Sequence, residues 1–193
     1  MMIGRVDEVD GAFVATRFVV LVPTECVYVS RKGSREGVRI QTDVRSVALA
    51  YGRVWLPMIA VGLFVLDLAL GGPRLANLLS VACLLGISAL AYRSGRLPER
   101  EKARLRILGT VTGLRIDPAR LQPNTREVKR ASLTDLMEKG GIPTTPEGIL
   151  AVLEDIPMPA MPLVYGYTCY AGDEPEWRAC AAAVYERYEQ GEV

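Results

Sequence analysis

The side chains of this sequence that are best placed to do chemistry lie within its most apolar stretch. Asp67 is the only charged residue of one apolar run, and Asn77 stands near the start of the next run, with Arg74 and Ser80 on either side of it. A carboxylate in this setting is either a proton or ion site or one side of a hydrogen bond that holds two helices together. We favour the hydrogen bond, because two helices are too few to enclose a pathway. A small transport or ion-coupling component stays as the alternative.

Residues required for most catalytic chemistry are missing. The chain has no histidine, so it cannot build a histidine-activated nucleophile or a metal site that needs imidazole. It contains no phosphate-binding P-loop and no dinucleotide-binding glycine pattern. We therefore predict a non-enzymatic protein with no metal and no cofactor, and carboxylate chemistry that the sequence does not reveal stays as a third interpretation.

The cysteines form no C-x-x-C pair, and in a reducing compartment we expect free thiols. They are Cys26, Cys83, Cys169 and Cys180.

Aromatic side chains are concentrated near the C-terminus. Trp177 and Tyr188 recur at helical spacing, and Tyr165, Tyr167 and Tyr185 are close to them in sequence. These five side chains form either a surface that binds a segment of a protein partner or the packed core of a helical hairpin. Aromatic residues at helical spacing more often belong to a core, and both interpretations stay open.

The net charge of +1 conceals a strong asymmetry, since residues 93–130 carry +7 and residues 131–193 carry −8. Basic residues directly after an apolar run are typical of contact with anionic lipid headgroups. A second interpretation is that the basic block docks on the acidic block. Nucleic acid is the least favoured partner, because no aromatic residues are interleaved with the basic ones. The candidate headgroup contacts are Arg93, Arg96, Arg100, Lys102, Arg104 and Arg106.

Two apolar runs, Val54–Leu70 and Leu75–Tyr92, must position the polar set around Asp67. The turn Gly71-Gly72-Pro73-Arg74 joins them. Each run is about as long as a helix needs to be to cross a bilayer core, so we predict a transmembrane hairpin. Arginine and lysine are abundant on the two outer flanks and nearly absent from the turn, which places both termini in the cytoplasm. Two buried helices of a soluble protein stay as the alternative.

The N-terminal residues 1–43 are rich in β-branched and aromatic residues and predict an antiparallel β-meander. Pro23 should end the first strand, and Asp43 should cap a helix that continues into the first apolar run. The predicted strands are Ala12–Val22, Cys26–Val29 and Val38–Thr42.

The C-terminal part predicts helices separated by proline and glycine. Asn124 with Glu127, and Asp173 with Glu176, have the spacing of helix-capping pairs, and Thr145 precedes Pro146 as a helix start should. The predicted helices run from Pro98 to about Gly113, from Asn124 to Lys139, from Thr145 to Asp155, over Leu163–Ala171 and over Glu174–Glu189.

The stretch Asp10-Gly11-Ala12-Phe13-Val14-Ala15-Thr16-Arg17-Phe18, followed by Pro23 and Tyr28, resembles the opening of a group of uncharacterised two-span bacterial membrane proteins. In that group an Asp-Gly-aromatic-x-x-Thr-basic-aromatic strand precedes a proline-containing turn and a further strand. The chain departs from the pattern at Thr24-Glu25. The resemblance implies the same architecture and carries no function.

The predicted fold is a two-helix transmembrane hairpin with an N-terminal β-meander and a C-terminal α-helical cytoplasmic domain. Its segments are 1–43 (meander), 44–92 (juxtamembrane segment and hairpin), 93–130 (basic helix and linker) and 131–193 (acidic helical domain). The predicted function is that of a subunit or adaptor of the cytoplasmic membrane that binds lipids and either a protein partner or a second copy of itself.

Overall fold

The computed structural model of the chain describes residues 2–19, 22–31, 36–70, 72, 75–93 and 97–191. The chain forms two compact units, Met1–Pro98 and Glu99–Val193. Among the described residues, the first unit contains the sheet and two long helices, and the second contains five α-helices and three short 3-10 helices.

The sheet has four antiparallel strands in chain order: β1 (Met2–Val9), β2 (Ala12–Val19), β3 (Val22–Val29) and β4 (Val38–Arg39). The predicted antiparallel meander is confirmed.

Two details of the sheet differ from the sequence prediction. β1 is an additional strand, and Pro23 lies within β3 instead of ending a strand. Pro23 pairs with Phe18 where the register between β2 and β3 shifts. A proline has no backbone N–H to donate, and a bulge is one of the few places where a sheet accepts it.

The turn between β1 and β2 explains the early Asp-Gly pair. Asp10 and Gly11 both have positive φ angles, 47° and 84°. Two such residues form the tight turn whose twist suits a two-residue β-hairpin, and Asp-Gly is a favoured pair for it. One face of the sheet then buries a cluster of apolar residues, Phe13, Ala15, Val27 and Val29.

Two long helices follow the sheet: α1 (Val44–Ala69) and α2 (Leu75–Arg93). Asp43 caps α1 by accepting a hydrogen bond from the Arg45 N–H at 3.0 Å, as predicted. α1 begins ten residues before the first apolar run, so Pro57 lies well inside the helix. Both helices are long and apolar enough to cross a membrane.

α1 has two halves with different neighbours. Its first half packs on the sheet, where Thr16 Oγ1 and Ser46 Oγ are 2.7 Å apart. Its second half packs along α2. Arg53, at the junction of the halves, donates to the Ala91 carbonyl from Nε at 3.0 Å and from Nη2 at 2.7 Å. This buried guanidinium holds the end of α2 against α1.

The second unit is built around one buried helix. Its helices are α3 (Glu99–Thr112), α4 (Pro123–Lys139), α5 (Pro146–Ala151), α6 (Met161–Ala171) and α7 (Pro175–Gly191). α6 packs against α3, α4 and α7, and α5 packs on α7. α3, which the sequence placed with the basic linker, therefore belongs to this unit. The core includes Leu108, Leu121, Met137, Ile149, Met161, Val164, Tyr170, Cys180 and Val184.

In this unit, a proline at the beginning of a helix is more common than a side chain that caps it. Thr145 caps α5 by accepting from the Gly148 N–H at 3.2 Å, as predicted. The predicted cap at Asn124 is wrong: α4 begins one residue earlier, at Pro123, with no side-chain cap bond. Proline is already constrained to a helical φ, and the N–H that it lacks would have no partner within the helix at that position, which explains the earlier start.

Candidate functional site

A groove of about 730 Å³ in the second unit is the clearest candidate site. α3 and α7 both pack against α6, and the groove lies between them with α6 as its floor. Small side chains on α7, Ala181 and Ala182, leave the space open. The other lining residues include Arg100, Glu101, Arg104, Asp117, Tyr165, Thr168, Cys169, Asp173, Trp177, Arg178, Tyr185 and Glu186.

Arg104 is the central charged group of the groove. Its Nη1 lies 3.3 Å from Glu101 Oε1, and its Nη2 lies 3.3 Å from Asp117 Oδ2. Burial opposes the charge, but Tyr165 and then the two carboxylates raise the pKa of Arg104 above its ordinary value. The guanidinium therefore stays charged and fixes the turn at Asp117 beside α3.

The floor of the groove consists of neutral groups. Burial raises the pKa of the Tyr165 phenol, and burial likewise raises the pKa of the Cys169 thiol, although Tyr165 and Arg104 partly offset this. Near neutral pH both groups keep their protons. A thiol needs a lowered pKa to act as a nucleophile, so Cys169 is suited to donating a weak hydrogen bond and packing. A groove with such a floor is suited to binding a ligand and not to nucleophilic chemistry.

Two ion pairs brace the helices around the groove. Arg100 Nη2 lies 3.7 Å from Glu189 Oε2, and its guanidinium carbon lies 5.7 Å from the centre of the Tyr185 ring. Arg126 on α4 meets Asp173, just before α7, through two bonds of 2.6 and 3.0 Å. Residues of the basic block thus pair with residues of the acidic block inside one unit, as in the second interpretation of that charge asymmetry.

The predicted aromatic surface is divided between groove and core. Tyr165, Trp177 and Tyr185 line the groove. Tyr165 and Tyr185 are nonetheless more than 90% buried, and their ring centres are 5.4 Å apart. Tyr167 is buried with its hydroxyl donating to the Thr144 carbonyl at 3.0 Å. Tyr188 is half-buried and does not line the groove. The aromatic side chains are therefore mostly core, and three of them also border the groove.

The predicted headgroup contacts differ in how available they are. Arg93, Arg100 and Arg106 are exposed, but Arg100 lies 3.7 Å from Glu189 and Arg106 interacts electrostatically with Glu99. Lys102 is paired with Glu99 at 2.6 Å and Arg104 is held in the groove by two carboxylates, so both already have anionic partners. Arg96 lies outside the described residues.

Of the four polar residues predicted to form a site in the hairpin, the structure brings Asp67 and Asn77 together. Asn77 Nδ2 donates to Asp67 Oδ1, which joins α2 to α1, and Asp67 is only 5% exposed. Ser80 is exposed and donates back to the Ala76 carbonyl at 3.0 Å. Arg74 lies outside the described residues. The pair of Asp67 and Asn77 fits the hydrogen-bonded contact that we favoured over an ion site.

Among the residues that the structure describes, no group of three or more cysteine, aspartate and glutamate side chains could hold a metal ion. Comparison with family models, with curated proteins and with solved structures finds no match. The resemblance of residues 10–28 to two-span bacterial membrane proteins therefore stays a prediction, and function must be argued from the site itself.

Sequence reasoning missed most of the groove. Glu101 and Asp117 were not singled out, because their role depends on Arg104 folding between them. Ala181 and Ala182 carry no chemical signal of their own. The adjacent run of alanines within an otherwise polar helix was the one available hint that α7 leaves space beside α6.

Proposed function

We propose that this protein is a non-enzymatic subunit or adaptor of the cytoplasmic membrane, which binds a segment of a partner protein in the groove between α3 and α7. The groove itself is the observation that carries the proposal. It is open, lined by aromatic and charged side chains, and floored by protonated groups that favour binding over chemistry.

The membrane part of the proposal rests on α1 and α2. In the most apolar stretch of each helix, only 17% (α1) and 11% (α2) of the residues are buried within the protein. Most of this apolar surface is therefore not covered by protein. Large exposed apolar patches on a folded protein indicate a membrane or partner interface. The basic flanks of the hairpin favour both termini in the cytoplasm, which would place the second unit there.

The groove suits a partner segment with a small apolar anchor and charges of both signs. Its α7 face presents Arg178 near one end and Glu186 near the other, eight residues apart. That spacing corresponds to about 12 Å along a helix. A bound helix could place an acidic and a basic residue about two turns apart against them, with an apolar side chain over Ala182.

A matched pair of substitutions on α7 tests the proposal. Ala182→Arg fills the groove, whereas Ala179→Arg adds the same charge at an exposed position of the same helix that does not line it. The full chain, tagged and purified from its native membranes in gentle detergent, should retain a stoichiometric partner with Ala179→Arg. Ala182→Arg should weaken binding of that partner by roughly tenfold or more, equivalent to about 1.4 kcal/mol.

Two results would count against the proposal. If the same partner is retained equally by both variants, the groove is not its binding site. If the purified chain converts a substrate without any partner, the protein is not a passive adaptor.

A further inference from the structure

An exposed apolar pair, which we call the β2–β3 tip, lies where β2 ends and β3 begins. Val19 and Val22 pair with each other across the strands and are 56% and 60% exposed. Among the sheet residues whose exposure the structure describes, which in β1 begin at Arg5, no other large hydrophobic side chain is exposed to this degree.

Two contacts on β2 establish the direction in which this tip points. Thr16 meets Ser46 with 2.7 Å between hydroxyl oxygens, and the rings of Phe18 and Tyr51 are 6.2 Å apart between centres. Two residues along a strand cover about 6.6 Å, and five residues along a helix cover about 7.5 Å. β2 therefore runs alongside α1 in the same direction, and its end at Val19 lies towards the apolar half of α1.

Contacts on β1 give the same direction. Arg45 Nη1 lies 3.5 Å from Asp7 Oδ1, and Arg53 Nη2 donates to the Arg5 carbonyl at 3.3 Å. β1 is antiparallel to β2, so its residue numbers fall as those of α1 rise. The tip therefore lies beyond Tyr51, at the level where α1 becomes continuously apolar.

We infer that the β2–β3 tip inserts into the boundary between headgroups and acyl chains of the bilayer that α1 and α2 cross. This inference rests on the proposed membrane anchor. Measured along the axis of α1, the tip lies next to the start of that helix's exposed apolar surface, which includes Met58, Ile59 and Val61. Tyr51 and Tyr92 are exposed near the same level, where aromatic side chains mark membrane interfaces. The sheet is thus a second, shallow attachment beside the hairpin.

Tryptophan fluorescence in lipid vesicles with brominated acyl chains tests the inference, because bromine quenches only nearby tryptophans. The full chain carrying Trp177→Phe reports on Trp55 alone. Two further chains carry Trp55→Phe and Trp177→Phe together with either Val22→Trp or Ser30→Trp. Ser30 is exposed at the opposite end of β3, about 26 Å from Val22 along the strand. Circular dichroism checks that each chain is folded.

We expect the Trp55 chain and the Val22→Trp chain to lose intensity and to emit at shorter wavelength, while the Ser30→Trp chain keeps the emission of a water-exposed indole. If Trp55 is quenched but Val22→Trp emits like Ser30→Trp, the tip lies in water and the inference is wrong. If Val22→Trp emits at short wavelength without quenching, protein covers the tip, for example a second copy, and the inference is also wrong. An unquenched Trp55 would overturn the membrane anchor itself.

Discussion

Asp67 and Asn77 meet across the two helices of the hairpin. Asn77 Nδ2 donates to Asp67 Oδ1, so the buried carboxylate has a partner on the other helix. Polar contacts of this kind commonly hold membrane helices together and contribute about 0.6 kcal/mol on average. An ion-coupling role would require a path and further polar groups, and the neighbouring Ser80 is already bonded within its own helix.

A structural role for Asp67 predicts a contrast between two substitutions. Asp67→Asn keeps an oxygen that can accept from Asn77, so the stability of the hairpin in detergent should change little. Asp67→Leu removes the acceptor and should cost about 0.6–1.7 kcal/mol. A double-mutant cycle with Asn77→Leu measures the coupling between the two side chains.

If Asp67→Asn instead abolishes a proton or ion flux in vesicles while the chain still inserts, the alternative function is correct. Flux that is the same with Asp67 and with asparagine removes that alternative.

The helices of the second unit are held by contacts between elements that are distant in sequence. Arg126 on α4 and Asp173 before α7 are 47 residues apart and form a two-bond pair. The hydrogen bond from Arg126, followed by its charge, lowers the pKa of Asp173 below the ordinary 3.8. Asp173 was expected to pair with Glu176 as a helix cap, and its bond to Arg126 shows that it joins two helices.

The lowered pKa predicts a specific pH dependence. A carboxyl whose pKa is lower in the folded state stabilises that state above its unfolded pKa, and the contribution is lost as the pH falls through the folded pKa. Asp173→Asn should therefore reduce stability well above pH 3.8, by about 0.2–1 kcal/mol for an exposed pair. The difference from wild type should shrink as the pH falls below that value.

Urea unfolding at a series of pH values measures this difference. Asp135→Asn is the control, because its pair with Lys139 lies within α4 alone. A difference for Asp173→Asn that is constant down to the lowest pH would contradict the role of this pair.

Much of the element order was predictable, for physical reasons that are local. Two apolar runs long enough for helices, and Asp43 before the first of them, were sufficient to predict α1 and α2. β1 escaped prediction because its buried apolar residues Val6 and Val9 are three positions apart, and the register between β1 and β2 shifts on both sides of Val6. A strand with bulges does not keep the period of two on which sequence reasoning relies.

The groove could not be predicted, because no local pattern encodes it. It exists because α3 and α7 pack on the same helix, α6, and leave space between them. That placement depends on residues such as Met137 and Val164, which are fully buried and look like any core residue in the sequence. Arg104 illustrates the limit: from its neighbours in sequence it is a headgroup contact, and in the fold it is a groove residue.

At the scale of the whole molecule, the chain forms two units that differ in how much of their apolar surface is buried. The second unit, Glu99–Val193, has its own buried core from α3 to α7. The first contains both helices that could cross a membrane. A domain with its own core can in principle fold alone.

We therefore predict that residues 99–193, expressed without the rest of the chain, are soluble without detergent and have a helical circular-dichroism spectrum. Their thermal unfolding should be cooperative, with a heat-capacity increase of roughly 1.2–1.4 kcal/mol/K. Residues 1–98 provide the comparison and should need detergent. A fragment 99–193 that precipitates or lacks helical structure would show that the second unit depends on the first.

The unbroken course of α1 has a mechanical consequence. This one helix of 26 residues is about 39 Å long. It is packed on the sheet at one end and runs beside α2 at the other. In a bilayer it would act as a lever, since a membrane that thickens or thins changes the tilt of the helices that cross it. A tilt change of about 10° would swing one end of such a helix by roughly 7 Å, so the position of the sheet would report the thickness of the membrane.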